Sequence, residues 1–172
     1  WQTVIMDAAK PGFRKWLLDT RFQPLWSRGF RAFFLDNLDS YQRAVKDPAA
    51  RTAQVKGLAQ IITELHARFP GVKLLFNRGF ELLPEVAPLA AGLAAESLFR
   101  GWDPVKHTYG EVPEADRRWL VNELRTARDR YHLPIIAIDY VPTAQRELAR
   151  ATAARIAALG MTPWVTEHTL ST

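Results

Sequence analysis

Short runs of apolar residues that end in a polar side chain recur along the chain. The clearest run is Ala32–Leu35, which leads directly into Asp36. A strand covered by helices on both faces of a parallel sheet has such a continuous apolar run. We therefore predict six strands, which end in Asp7, Asp36, Asn77, Glu96, Asp139 and Thr166.

Segments with apolar residues at helical spacing separate these strands. Three predicted helices begin at Pro11, Pro48 and Pro113, and Thr143 is the predicted cap of a fourth. The first is expected to break near Pro24, because proline lacks a backbone N–H. Asp47 is the predicted N-cap of the second helix. The segment from Arg100 to Asp103 is predicted to be a loop, and Thr3 to Asp7 is predicted to be the first strand.

Strands that alternate with helices form right-handed βαβ units and a parallel sheet. We predict an α/β fold of the (β/α)₈ TIM-barrel type, over residues 1–172 as one domain. About six of the eight βα units are expected, with the first two strands lying before Trp1. A doubly wound open sheet is the alternative, although no glycine-rich loop follows any predicted strand.

Parallel strands bring their carboxyl ends to one rim, where α/β folds place their chemistry. Asp and Asn often occur there as turn formers, but Glu96 is not a turn former. A crowded acidic rim is also unfavourable, because like charges repel one another. We therefore interpret the rim as a functional site. Period-2 alternation predicts that Asp36, Glu96 and Asp139 all point into the barrel.

Asp36 and Glu96 are the candidate catalytic pair. Glycoside hydrolysis needs one carboxyl group to protonate the leaving oxygen and another to attack or to activate water. Asp36 is assigned the ionised role, because Asn77, Asp39 and Ser40 offer polar neighbours. Glu96 has apolar neighbours, which favour a protonated carboxyl group. A Mg²⁺ or Ca²⁺ site at Asp36-Asn37-Leu38-Asp39 is the alternative.

Further side chains at the strand ends are predicted to bind substrate. Aromatic rings at these positions can stack on sugar rings, although at least half of them are expected to serve packing. The predicted substrate-binding residues are Asp7, Asp39, Tyr41, Asn77, Phe80, Arg100, Trp102, Asp139 and Tyr140.

Composition excludes several other classes of protein. The 172 residues contain no Cys, which excludes disulfides and thiolate metal sites. The net charge of +5 comes from dispersed basic residues, so solvated helix faces explain it better than a nucleic-acid-binding surface. No apolar run approaches the ~20 residues that span a bilayer. The four His show no metal-ligand spacing, and no serine-hydrolase elbow is present.

Four stretches of sequence resemble the endo-α-1,4-polygalactosaminidase family. They are FFLDNLDSY (33–41), NRGFELLP (77–84), AESLFR (95–100) and IDYVP (138–142). The resemblance implies a (β/α)₈ barrel that cleaves α-1,4-linked, partly deacetylated N-acetylgalactosamine polymer without a metal or cofactor. The family's catalytic acids match Asp36 and Glu96.

The resemblance also implies a periplasmic or secreted protein of exopolysaccharide and biofilm metabolism. Its expected partner is the polysaccharide substrate, and a monomer is expected. A non-catalytic barrel that binds such polymers remains the main alternative. A nucleic-acid-binding module, with steeply salt-dependent binding, is the third.

Overall fold

A computed structural model describes residues 5–170, in units that span Trp1–Ala91 and Gly92–Thr172. The first unit starts with α1 (Pro11–Leu17), a π-helical turn (Leu18–Phe22) and α2 (Gln23–Ser27). The predicted break near Pro24 is confirmed, because a π-helical turn interrupts the helix and α2, which has Pro24 among its first two residues, begins directly after that turn. The irregular turn comes just before it, where the N–H of Gln23 bonds to the carbonyl oxygen of Leu18. A proline early in a helical segment is tolerated there.

The strand predicted from Thr3 to Asp7 is not found in its described part. Thr3 and Val4 lie outside the described residues, and the segment from Ile5 to Asp7 forms no strand. Asp7 instead begins a turn, in which its Oδ1 accepts a hydrogen bond from the N–H of Ala9 at 3.0 Å. Asp often uses its side chain in this way.

A βαβ unit forms the centre of the first unit. Strands β1 (Ala32–Leu35) and β2 (Lys73–Asn77) are parallel, and α3 (Tyr41–Ala44) and α4 (Pro48–Arg68) connect them. Leu74 and Phe76 of β2 lie beside Phe33 and Leu35 of β1, and both β2 residues are fully buried. Their side of the strands therefore faces the core.

Helix α4 has the start and the apolar side that the sequence predicts. Asp47 is its N-cap, and its Oδ2 accepts a hydrogen bond from the N–H of Ala50 at 2.7 Å. Ile62 and Leu65 are buried on its inner side. Capping satisfies a backbone donor that the first helical turn leaves free, so the local sequence sets the start of the helix.

Short helical segments complete the first unit after β2. A 3₁₀ turn (Phe80–Leu82) leads into α5 (Leu83–Val86), and a second 3₁₀ turn (Ala87–Leu89) follows. Leu82, Leu83 and Val86 are buried, so this segment adds to the core.

The second unit contains three parallel strands and a separate hairpin. Its elements are β3 (Gly92–Glu96), β4 (Arg100–Asp103), β5 (Thr108–Glu111), α6 (Glu114–Tyr131), β6 (Ile135–Tyr140), α7 (Arg146–Ala157) and β7 (Thr162–Thr166). Strand β6 pairs in parallel with both β3 and β7. Strands β4 and β5 pair with each other in antiparallel fashion. Five of the six predicted strands are confirmed.

Two local predictions in this unit are wrong. The loop predicted from Arg100 to Asp103 is strand β4, which is held by its pairing with β5 rather than by an apolar run of its own. Thr143 does not cap α7, because it lies in a turn closed by the N–H of Gln145 and the carbonyl oxygen of Pro142 at 2.8 Å. The helix begins only after that turn, at Arg146.

Among residues 5–170 there is no helix with the length and apolar character that crossing a membrane requires. The assignment of residues 1–172 to one domain stays a prediction.

Candidate active site

Asp36 directly follows β1 and is held by two amide side chains. Asn77, the last residue of β2, donates from Nδ2 to Asp36 Oδ1 at 2.5 Å. Asn37 donates from its Nδ2 to Asp36 Oδ2 at 3.0 Å. Asp36 is exposed, whereas Asn77 is only 3 % exposed. A buried amide thus fixes the orientation of a carboxylate that solvent and ligands can reach.

Two more pairs of polar residues lie close to Asp36 in the sequence. Asp39 and Arg78 form an ion pair, with Asp39 Oδ2 and Arg78 Nη1 at 3.6 Å. The Tyr41 hydroxyl donates a hydrogen bond to Glu81 Oε2. Burial, followed by this bond to Glu81, raises the pKa of Tyr41 to about 12. Tyr41 is 3 % exposed and therefore offers almost no ring surface for stacking on a sugar.

Glu96 is the last residue of β3 in the second unit and is half-buried. It pairs in register with Ile138 of β6, and Tyr140 lies two residues further along that strand. Because side chains two apart share a face of a strand, Tyr140 reaches Glu96 and donates a hydrogen bond from its hydroxyl to Glu96 Oε2. The Glu96–Ser97 peptide bond is cis.

Asp139 points to the opposite face of β6 from Tyr140, as successive strand residues do. The prediction that it points the same way as Glu96 is therefore wrong, because Glu96 shares the face of Ile138 and Tyr140. Asp139 is 0 % exposed. Its Oδ1 accepts from the N–H of Leu98 at 2.5 Å, and its Oδ2 accepts from the N–H groups of Phe99 and Arg100 at 2.8 and 2.9 Å.

Two opposing effects act on the pKa of Asp139. Burial raises the pKa above its usual value, because a buried carboxylate loses its hydration. The three backbone N–H donors and the Arg155 charge counteract that rise without cancelling it.

Trp102 lies in β4 with an aromatic and histidine cluster. Its ring stacks on His168 with centroids 3.9 Å apart and planes 14° apart. The Tyr109 hydroxyl lies 2.7 Å from His168 Nδ1 and also accepts from the N–H of His168 at 3.2 Å. One face of the Trp102 ring is thus used within the protein.

Asp7 and Arg100, two of the remaining predicted substrate-binding residues, have contacts within their own unit. Asp7 Oδ1 accepts from Gln54 Nε2 at 2.9 Å. Arg100 pairs with Glu111 across the hairpin, with Nη1 and Oε1 at 3.5 Å. Phe80 is half-buried at the start of its 3₁₀ turn. Each of these roles in substrate binding stays a prediction.

Sequence reasoning did not single out Glu81, Tyr109 or His168 as contacts of the predicted residues. Glu81 lies inside the stretch NRGFELLP, which was a usable signal. Tyr109 and His168 are 59 residues apart and carry no local signal of their contact.

The described part of the chain contains no group of three or more His, Cys, Asp or Glu residues that could hold a metal ion. The chemistry that the described residues offer is that of carboxyl groups oriented by hydrogen bonds.

Comparison with protein families gives a match over the entire chain. The model of glycoside-hydrolase family GH114 matches residues 1–172. A search of curated proteins gave no match.

Solved structures give matches of two kinds. The chain is similar to the glycoside hydrolase domain of PelA from Pseudomonas aeruginosa, with 42% identity and a TM-score of 0.91, over 100% of this chain and 66% of that one. A glutamate-to-alanine variant of that domain matches over the same shares at 41% identity and a TM-score of 0.90. Ega3 from Aspergillus fumigatus, solved in complex with galactosamine, matches at 14% identity and a TM-score of 0.60, over 96% of this chain and 61% of that one.

The match to Ega3 shows the fold alone, because so low an identity does not carry function. Together with the parallel strands and the helices between them, the matches confirm the predicted α/β fold of the TIM-barrel type. The chain spans just under two thirds of the length of the solved structures that it matches.

Proposed function

The chain belongs to glycoside-hydrolase family GH114, and from this membership we propose that it is an endo-acting hydrolase of galactosamine-containing polysaccharide. The substrate is an α-1,4-linked, partly deacetylated N-acetylgalactosamine polymer. The observation that carries the proposal is the family match over residues 1–172, supported by 42% identity to the PelA hydrolase domain.

Asp36 and Glu96 are the two reacting carboxyl groups. Glu96 gives its proton to the glycosidic oxygen as the bond to the sugar carbon breaks. The hydroxyl of Tyr140 donates to Glu96 Oε2 and stabilises the carboxylate that remains. Asp36, oriented by Asn37 and Asn77, attacks the sugar carbon or activates the water that does so.

The substrate class comes from the four sequence stretches that resemble polygalactosaminidases, two of which contain Asp36 and Glu96. Deacetylated galactosamine units carry ammonium groups, and carboxylates at the strand ends favour such a cationic polymer. Ega3, which shares the fold, was solved with galactosamine.

The test uses the protein with deacetylated, partly acetylated and fully acetylated galactosamine oligomers, and mass spectrometry of the products. We expect internal cleavage of an oligomer that contains free amines, with one water added per bond broken. Asp36→Asn and Glu96→Gln should abolish the products. The exposed Asp116→Asn and Glu85→Gln are matched controls that should leave them unchanged.

Products from other polysaccharides but from none of these oligomers would contradict the assigned substrate. Binding of the oligomers without cleavage under any condition would contradict the assigned activity and favour a polysaccharide-binding barrel.

A further inference from the structure

The segment directly after Glu96 depends on a carboxylate from another strand. The backbone N–H groups of Leu98, Phe99 and Arg100 all point to Asp139, which is the next-to-last residue of β6. Three successive N–H groups aimed at one anion fix the backbone path of the residues that carry them. The segment that they fix begins two residues after Glu96.

This carboxylate has no room for a substrate. Asp139 is 0 % exposed, and each of its oxygens already accepts at least one hydrogen bond. Leu98 is also fully buried, so its N–H could not turn to water if the carboxylate were lost. Asp139 therefore acts on the protein's own backbone and not on a ligand.

The neighbouring residue of the same strand holds Glu96 directly. The Tyr140 hydroxyl donates to Glu96 Oε2 from one face of β6, while Asp139 holds the backbone beyond Glu96 from the other face. The Arg155 guanidinium lies 4.1 Å from the centre of the Phe99 ring and adds a cation to the same segment. Glu96 is thus fixed through its side chain and through the chain that follows it.

We propose that Asp139 is a positioning residue, which sets the direction in which β3 presents the Glu96 carboxyl group to the glycosidic oxygen. This inference rests on the proposed function, in which Glu96 is the proton donor. Asp139 itself exchanges no proton with the substrate.

The test is Asp139→Asn, which keeps the size of the side chain. Asparagine has one acceptor oxygen instead of two, and its NH₂ group cannot accept a hydrogen bond from the three backbone N–H donors. Because misplacement of a reacting group by about 1 Å can cost about 100-fold in rate, we expect kcat to fall by about 10- to 100-fold. KM should change by less than about threefold, because substrate contacts stay in place. Hydrogen exchange at Leu98, Phe99 and Arg100 should accelerate.

Two further variants separate positioning from general stability. Leu124→Ala truncates a fully buried side chain of α6, so it lowers stability and removes none of the hydrogen bonds between Asp139 and residues 98–100. The kcat of Leu124→Ala, measured under conditions in which this variant is folded, should match that of the parent. In the double variant Glu96→Gln, Asp139→Asn, the second change should cause no further loss, because Asp139 acts through Glu96.

Parental kcat in folded Asp139→Asn would overturn the inference, and so would an equal loss of kcat in Leu124→Ala. If Glu96→Gln itself retains parental activity, the proposed function fails first. Loss of activity in Glu96→Gln with parental activity in Asp139→Asn contradicts the positioning role alone. If Asp139→Asn does not fold, Asp139→Glu takes its place, because it keeps the carboxylate but moves it by one methylene group; its kcat should fall with less than about a threefold change in KM, and parental kcat would overturn the inference.

Discussion

At the scale of single residues, each acid at a strand end has its own kind of hydrogen-bond donor. Asp36 accepts from two side-chain amides, Glu96 accepts from a phenol, and Asp139 accepts from three backbone N–H groups. The donors orient each carboxylate, and its exposure determines whether it can reach a ligand. Asp36 stays exposed and oriented, whereas Asp139 is closed off from solvent.

Tyr140→Phe tests the contact between Tyr140 and Glu96. A hydrogen bond to a charged group contributes about 1.5–3 kcal/mol, so we expect kcat to fall by about 10- to 100-fold. Fold and stability should change little, because the ring remains. Steady-state kinetics measure the change, and Tyr131→Phe at the end of α6 is the matched control. Equal kcat in the two variants would contradict the role of this bond.

Tyr41 provides a test through alkaline titration. Its folded pKa of about 12 lies above the ordinary value of 10.0, so the neutral phenol favours folding at pH values below about 10. This contribution is lost as the pH rises through about 12 in the folded state. Ultraviolet titration of phenolate should include a late ionisation by Tyr41, and Tyr41→Phe should remove that contribution. Retention of the late step in Tyr41→Phe would contradict the assignment.

The acids themselves were predictable, and so was Asn77 as a polar neighbour of Asp36, but the partners of Glu96 and Asp139 were not. Apolar runs identify strand ends, so Asp36, Glu96 and Asp139 stand out in the sequence. The other partners depend on the register between strands, which places Tyr140 next to Glu96 although 44 residues separate them. A shift of one residue in register would turn every side chain of the strand to the other face of the sheet, and all of these contacts would be lost.

At the scale of elements, close packing places one glycine inside a long helix. A Cβ atom on Gly57 of α4 would lie 2.3 Å from the carbonyl oxygen of Ala8. Gln54, one turn earlier, accepts a hydrogen bond from the N–H of Ala8 at 3.1 Å. The residues before α1 thus pack closely on α4 through a glycine and an amide.

Gly57→Ala is therefore expected to destabilise the protein, by about 1–3 kcal/mol as overpacking does. Helix propensity alone predicts the opposite, a gain of about 1 kcal/mol. Gly12→Ala in α1 is the matched control, because a Cβ there meets no atom within 4 Å, and it should not destabilise. Urea unfolding monitored by circular dichroism measures both. A more stable Gly57→Ala variant would contradict the close contact.

Elements with signals in their own sequence were predicted well. Asp47 and the apolar side of α4 are local features, and both appear in the structure. The β4–β5 hairpin was missed because its strands are four residues each and depend on each other for pairing. The start of α7 was misplaced because a turn between Pro142 and Gln145 precedes it.

At the scale of the molecule, apolar side chains remain exposed on strands of both units. Phe34 on β1 is 46% exposed and Trp164 on β7 is 47% exposed. A cavity of about 610 Å³ in the first unit is lined by Phe34, Asp36 and side chains of α1 and α4. The expectation that strands beyond these 172 residues complete the barrel stays a prediction.

The family and the fold class followed from the sequence because four separated stretches and the alternation of strands and helices agreed. The pairing of Asp36 with Glu96 in one reaction is the central claim, and it concerns residues 60 positions apart.

The most direct test of that claim is kcat/KM on a partly deacetylated galactosamine polymer for the parent, Asp36→Asn, Glu96→Gln and the double variant. Removal of an acid–base group lowers the rate by about 10²- to 10⁴-fold. We therefore expect kcat/KM of each single variant to fall by at least about 100-fold. The double variant should lose little more than either single one, because the two groups act in the same step. Activity within a few-fold of the parent in either single variant would contradict the claim.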